Sequence, residues 1–177
     1  MKKLHLGCGT KILKDFINVD IRDDVGADVI DDIFCLEGMS AESVDLIYVC
    51  HVFEHVQRFK ILSVLERWYN LLRSGGILRL AVPDFEKVSL LYNRGVSLSK
   101  LIGFLYGGQD YAYNFHYYCW DLVTLSKTLS DVGFSQIKPY EWRDTEHADI
   151  DDYSQCYYPH MDKQNGLLMS LNVECTK

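Results

Sequence analysis

Short apolar runs separated by polar turns recur along the chain, at Leu4–Gly7, Phe16–Asp20, Ala27–Ile30, Val44–Cys50, Ile77–Val82, Ser135–Trp142 and Leu167–Cys175. Several are apolar on both faces, as strands of a sheet covered on both sides are. Between the fourth and fifth runs the period changes. Val52, Val56, Phe59, Leu62, Leu65, Tyr69 and Leu72 fall at steps of three and four, which predicts one long amphipathic helix. Arg73 would sit in its last turn, and Gly75 would take the left-handed cap. A second helix is predicted with Asp121 as N-cap, with Leu122, Leu125, Leu129 and Val132 facing the core and Gly133 ending it. A short helix is expected over Ser97–Leu105.

Strands alternating with helices define an α/β chain with a doubly wound, mostly parallel sheet. A length of 177 residues fits one domain, 1–177, with 84–120 inserted between the fifth strand and the helix at Asp121. Only Lys11 to Asp15 separate the glycine-containing loop after the first strand from the second strand. No full helix fits there, so the first helix is reduced to a turn.

Composition excludes some function classes. A net charge of −7 with scattered basic residues argues against nucleic acid, because phosphate binding needs clustered lysine and arginine. No apolar run approaches the ~20 residues needed to cross a bilayer. The first strand begins after Met1-Lys2-Lys3, so no signal peptide and a cytoplasmic location are expected. The six cysteines show no C-x-x-C pair or other zinc spacing, so free thiols and no metal are expected.

The chemistry concentrates at the first turn. Leu4-His5-Leu6 runs into Gly7-Cys8-Gly9, and Phe16-Ile17-Asn18-Val19 ends in Asp20. Glycines there let the backbone approach a ligand closely, and an acid after the second strand is placed to accept from ribose hydroxyls. The pattern stops at two glycines, and Asp20 comes sooner than the roughly 20-residue spacing of dinucleotide sites. A nicotinamide oxidoreductase is therefore disfavoured.

Further segments follow in order: Ser43-Val44-Asp45-Leu46-Ile47 with Glu54-His55, Leu71-Leu72-Arg73-Ser74-Gly75-Gly76, and Leu129-Ser130-Asp131-Val132-Gly133-Phe134. Taken with the glycine loop and Asp20, this series resembles the class I S-adenosylmethionine-dependent methyltransferases over nearly the whole chain. Gly107-Gly108-Gln109, His116 and Ser170-Leu171-Asn172-Val173 make it most similar to a small predicted-methyltransferase family of the type 11-like group.

The resemblance implies a Rossmann-like seven-stranded sheet whose seventh strand, Leu167–Cys175, is antiparallel. It implies S-adenosylmethionine as cofactor and S-adenosylhomocysteine as product. Gly7, Cys8 and Gly9 would line the cofactor, Asp20 would bind the ribose and Ile21 would pack on adenine. Asp32 with Ile33 would meet the adenine amino group, with Asp31 a one-residue alternative. His51 would lie by the methionine part.

The stretch Tyr106–Tyr118 carries five tyrosines, a phenylalanine and His116. It reads either as a roof over an acceptor pocket, with Tyr113, Tyr118 and His55 contacting the acceptor, or as an oligomer interface. His116 is the candidate general base, and a structural histidine is the alternative. Glu54 has a non-catalytic explanation as an acid at a helix start.

The reading is a methyltransferase acting on a small-molecule acceptor, with a sugar hydroxyl in glycan synthesis preferred. The rival is a catalytically silent cofactor-binding or accessory module. The reduced first helix suggests an open site closed by a homodimer mate or a partner subunit.

Overall fold

A computed structural model describes all 177 residues. The first half supplies β1 (Lys3–Leu6), β2 (Ile17–Asp20), β3 (Val29–Ile30), β4 (Val44–Cys50), α1 (Ile61–Leu71) and β5 (Leu72–Pro83). The second half supplies α2 (Phe85–Asn93), α3 (Leu98–Tyr106), α4 (Leu122–Val132), β6 (Ser135–Pro139), β7 (Tyr157–Tyr158), β8 (Leu167–Leu168) and β9 (Ser170–Thr176). Seven strands form one sheet in the order β3-β2-β1-β4-β5-β9-β6, while β7 and β8 pair separately. Strands β1 to β5 run parallel, and β9 is antiparallel to both β5 and β6. The expected doubly wound sheet with an antiparallel last strand is therefore present.

Burial explains the apolar runs. Leu4, Leu6, Val19, Ile47, Val49, Leu78, Leu80 and Val173 are fully enclosed in one core beneath α1 and α4. The order reverses between β1 and β4, and in open α/β sheets the ligand crevice lies at the carboxyl ends beside such a reversal.

The segment after β1 contains no helix, as its length requires. Asn18 organises it instead: its Oδ1 accepts from the Leu13 N–H at 2.9 Å, and its Nδ2 donates to the Leu13 carbonyl at 3.1 Å. Leu13, only 1% exposed, thereby packs with Phe16, Leu46 and Tyr48 on a sheet face where a helix would otherwise pack.

Several boundaries differ from the sequence pattern. The long helix expected from Val52 begins only at Ile61, after two three-residue turns at Phe53–His55 and Arg58–Lys60. Val56 and Gln57 are extended between them, with ψ of 126° and 139°. Without helix before Ile61 the phase shifts, so Ile61, Val64, Leu65, Trp68 and Leu71 face the core. Phe59 and Leu62, expected on the stripe, are exposed. The helix stops at Leu71 because Leu72 is extended, so Gly75 (φ 75°) turns the chain beyond the helix rather than capping it.

The second helix forms as expected. Asp121 Oδ1 accepts from the Thr124 N–H at 2.7 Å, and Gly133 is left-handed at φ 115°. The run expected over 135–142 ends at Pro139, and Trp142 opens a short turn. The last run splits at Met169, whose N–H and carbonyl bond to Cys156 and Asp84 instead of a ladder partner.

Residues 84–120 leave the sheet and return to the same point. Asp84 bridges Trp120, and the Phe85 N–H donates to the Trp120 carbonyl at 2.9 Å. Helix α2 was not foreseen; Asp84 caps it by accepting from the Glu86 N–H at 2.9 Å. It shares a small apolar cluster with α3 around Val88, Leu91, Leu101 and Met169.

Candidate active site

The carboxyl ends of β1, β2, β3 and β4, with the aromatic loop after α3, enclose a cavity of about 540 Å³. That volume lies within the ~300–1,000 Å³ typical of small-molecule sites. Gly7, Cys8, Gly9, Asp20, Ile21, Asp32, Ile33 and His51 all line it, as do His55 and Tyr113. Ten residues singled out from the sequence thus converge on one space, although they span more than a hundred positions.

The first turn is built by two positive-φ glycines, Gly7 at 66° and Gly9 at 52°. A Cβ on Gly7 would stand 2.4 Å from Val52 Cγ2, so only glycine fits beneath the chain leaving β4. The Gly7 and Cys8 N–H groups both donate to the Val19 carbonyl, at 2.8 and 3.1 Å. The Gly9 N–H donates to Asp20 Oδ2 at 2.7 Å, and Asp20 Oδ1 accepts from the Arg22 N–H at 2.9 Å. Asp20 is only 6% exposed at the end of β2, its carboxylate held on the cavity wall.

Asp32 Oδ1 accepts from the Phe34 N–H at 2.9 Å and lines the cavity, whereas Asp31 does not. Of the two registers left open, the structure puts Asp32 on the wall. Lys11, Arg22 and Lys60 add positive charge around the rim. The Arg22 guanidinium stands 5.4 Å from the Tyr111 ring, joining the β2 side to the aromatic loop.

His51 closes the end of β4 with φ of 52°, an uncommon conformation for a non-glycine residue. Ser170 Oγ donates to Asn172 Oδ1 at 2.9 Å and lies 3.2 Å from His51 Nε2. The hydroxyl proton being spent on Asn172, His51 donates through Nε2–H and leaves Nδ1 bare. Burial lowers the His51 imidazole to about 3, with the nearby His116 and His55 adding to the effect.

Glu54 lies in the short turn that follows. It is 1% exposed, and neither carboxyl oxygen has a hydrogen-bond partner. Burial pushes its pKa up to about 8, so it is neutral near pH 7. The expected stabilisation by a helix N-terminus does not apply, because residues 53–55 form only a three-residue turn.

His116 stands one layer behind the cavity wall rather than on it. Its ring meets His55 edge-on at 4.7 Å between centroids, and Nδ1 donates to the Phe104 carbonyl at 3.1 Å. Tyr118 also faces away, packed 4.2 Å from the Trp120 ring. Both border a second hollow of about 250 Å³ with Phe85, Leu105 and Tyr106. The aromatic loop is therefore divided: Tyr111, Ala112 and Tyr113 face the large cavity, and Tyr117 separates it from the small one.

Sequence reasoning missed His5, Lys11, Arg22, Cys50 and Tyr153 as wall residues; Asp152, in the polar loop before the last strand, also lines the cavity. Asp152 Oδ2 accepts from Tyr48 at 2.7 Å, and its Oδ1 accepts from Ser154 Oγ at 2.6 Å. Burial pushes the Cys8 thiol up to about 11 and Cys50 well above its ordinary value, so neither is poised as a nucleophile.

No protein-family model matches the chain, and no curated protein matches its sequence. Solved structures do match. One is a SAM-dependent methyltransferase from Archaeoglobus fulgidus, 15% identical, covering 99% of this chain and 86% of that one with a TM-score of 0.62. Another, from Mesorhizobium loti, is an S-adenosylmethionine-dependent methyltransferase, 13% identical over 99% and 90% of the two chains, TM-score 0.60. A third is the 1,6-didemethyltoxoflavin-N1-methyltransferase of Burkholderia thailandensis with its substrate and S-adenosylhomocysteine bound, 14% identical over 99% and 70%, TM-score 0.57. The chain has the fold of these class I methyltransferases.

Proposed function

We propose that the chain is an S-adenosylmethionine-dependent methyltransferase acting on a small-molecule acceptor. The observation that carries this reading is the convergence of Gly9, Asp20, Ile21 and Asp32 on one cavity at the carboxyl edge of the sheet. The donor set suits a nucleoside. Asp20 retains carboxylate lone pairs for ribose hydroxyls, the half-exposed Ile21 offers an apolar face to a purine, and Asp32 accepts from an amino group.

When bound, the cofactor supplies a methyl group on a sulfonium that is already a good leaving group. The protein's task is then alignment and exclusion of water. His51, Tyr153 and the Tyr111–Tyr113 stretch enclose the rest of the cavity and supply aromatic surface with polar tips. Such surface suits a ring-shaped, hydroxyl-bearing acceptor, and a sugar hydroxyl is our preferred case. His55 faces the cavity while His116 backs it, so His55 is the imidazole that would contact such an acceptor.

The acidic chain and the lack of any helix long and apolar enough to cross a membrane favour a dissolved small acceptor. The test is calorimetry with S-adenosylhomocysteine and NAD. Micromolar binding of the first and none of the second is expected; binding of NAD, or of neither, overturns the reading. A silent cofactor-binding module, which the missing first helix would suit, predicts the same binding but no turnover with any acceptor.

A further inference from the structure

We propose that Glu54, His55 and His116 form a binding site for a divalent transition-metal ion in the wall of the cavity. One ligand atom from each lies within 4.8 Å of the other two. The cluster joins residues 53–55 after β4 to the aromatic loop, two segments brought together by the Tyr117 N–H donating to the Glu54 carbonyl at 2.8 Å.

Three features distinguish this cluster from an ordinary buried polar group. First, Glu54 is almost wholly enclosed, yet both its oxygens lack a partner. An unsatisfied buried polar group is costly, and protein interiors seldom retain one without use.

Second, both histidines are already oriented as ligands. His55 Nδ1 donates to the Phe115 carbonyl at 3.0 Å and His116 Nδ1 to the Phe104 carbonyl at 3.1 Å. A ligating imidazole typically spends one nitrogen on a main-chain carbonyl in this way, which fixes the tautomer and leaves the other lone pair for the metal.

Third, no donor faces those lone pairs. His116 Nε2 lies 3.9 Å from Glu54 Oε1, and the bare Nδ1 of His51 lies 3.5 Å from the same oxygen on another side. Bare nitrogens and a carboxyl converge there with only the carboxyl's own proton between them.

Two imidazoles and one carboxylate match a zinc-type set that keeps a fourth position open. Magnesium and calcium prefer all-oxygen shells and are disfavoured. Metal–ligand bonds near 2.0–2.1 Å require the ligand atoms to draw together by about 1 Å. Glu54 can move in this way because nothing ties its oxygens. His55 lines the large cavity, so the open position can face an acceptor there.

The inference stands apart from methyl transfer, since metal binding is measured without cofactor. Full-length protein stripped by a chelator is titrated with Zn²⁺ in a calorimeter and with Co²⁺ by absorption. A single saturable equivalent is expected, and no response to Mg²⁺. Glu54→Gln and His116→Gln should each weaken it at least ten-fold, while His160→Ala, an exposed histidine elsewhere, should not. Glu54→Gln replaces a neutral carboxyl by a neutral amide of the same shape; should it fail to fold, His55→Gln at the partly buried wall position serves instead. Absence of wild-type binding overturns the proposal, as does binding that the ligand substitutions leave unchanged.

Discussion

The Gly9 main-chain N–H and the Asp20 carboxylate are joined at 2.7 Å, so the turn after the first strand is tied to the end of the second. This bond replaces part of what a first helix would do. With no helix over residues 11–15, the loop conformation depends on Asp20 and on Asn18 beneath it.

Asp20→Ala should therefore weaken S-adenosylhomocysteine binding by roughly 1–3 kcal/mol, the range for a lost charged hydrogen-bond partner. The loss has two sources, the ribose contact and a loosened Gly9. Asp20→Asn should separate them, because an amide oxygen still accepts from Gly9 but carries no charge. Calorimetry on the two variants checks this. Unchanged affinity in a folded Asp20→Ala protein would place the ribose elsewhere.

The two glycines should differ in what they tolerate. Gly7→Ala places a Cβ 2.4 Å from Val52 in a left-handed conformation, whereas at Gly9 the nearest atom is Arg22 Nη2 at 3.7 Å. Both changes incur the left-handed penalty of about 1–2 kcal/mol, but only the first adds a clash. Gly7→Ala should thus lower Tm more than Gly9→Ala, and adding Val52→Ala should recover part of the difference. Equal melting points for the two single variants would contradict the close packing of Gly7 on Val52.

The sequence was most legible where a local pattern carried the structure. Most of the strand positions, the turn at Gly7 to Gly9, the Asp20 position and the Asp121 cap all follow from spacing within about twenty residues, whereas the antiparallel last strand was implied only by the family resemblance. The helix before Ile61 was misjudged because Val52 and Val56 obey helical spacing while their burial comes from a turn over β1 and α1. Periodicity reports which side is buried, not the backbone that buries it. The Glu54, His55 and His116 cluster was invisible for another reason. Its members are separated by about sixty residues, so no local metal-ligand spacing marks them. His5 was missed as well, reading as one polar position inside an apolar strand.

Thiol reactivity should follow burial. Cys35 and Cys119 are exposed, whereas Cys8, Cys156 and Cys175 are buried, and no disulfide links any of the six. Burial pushes Cys8 and Cys156 up to about 11, which reduces their thiolate fraction further. Brief alkylation of folded protein, read by peptide mass spectrometry, should label Cys35 and Cys119 and spare the other four. Early labelling of Cys8 would show that the first turn opens in solution.

The last prediction concerns pH and His5. This ring lies 2% exposed in β1, stacked 5.2 Å from Tyr48, with Nδ1 3.2 Å from Asn18 Oδ1. Burial lowers it from 6.5 to about 4 and outweighs the raising influence of Asn18, Asp152 and Asp20; His147 lowers it further. The unfolded chain therefore takes up this proton near pH 6.5, while the folded chain resists until about pH 4. Between those values the unfolded state holds more protons, so stability falls as pH falls. The contribution is complete above about pH 6.5 and is lost by about pH 4, on the order of 3 kcal/mol across the window. Other lowered histidines, such as His147, tilt the wild-type curve in the same direction, so the informative quantity is a difference. Urea unfolding of wild type and His5→Gln at several pH values supplies it. The stability advantage of wild type over His5→Gln should shrink steadily as the pH drops from about 7.5 towards 4.5. Parallel curves would mean that His5 takes up its proton in the folded state as readily as in the unfolded one, and that Tyr48 and Asn18 do not seal it from water.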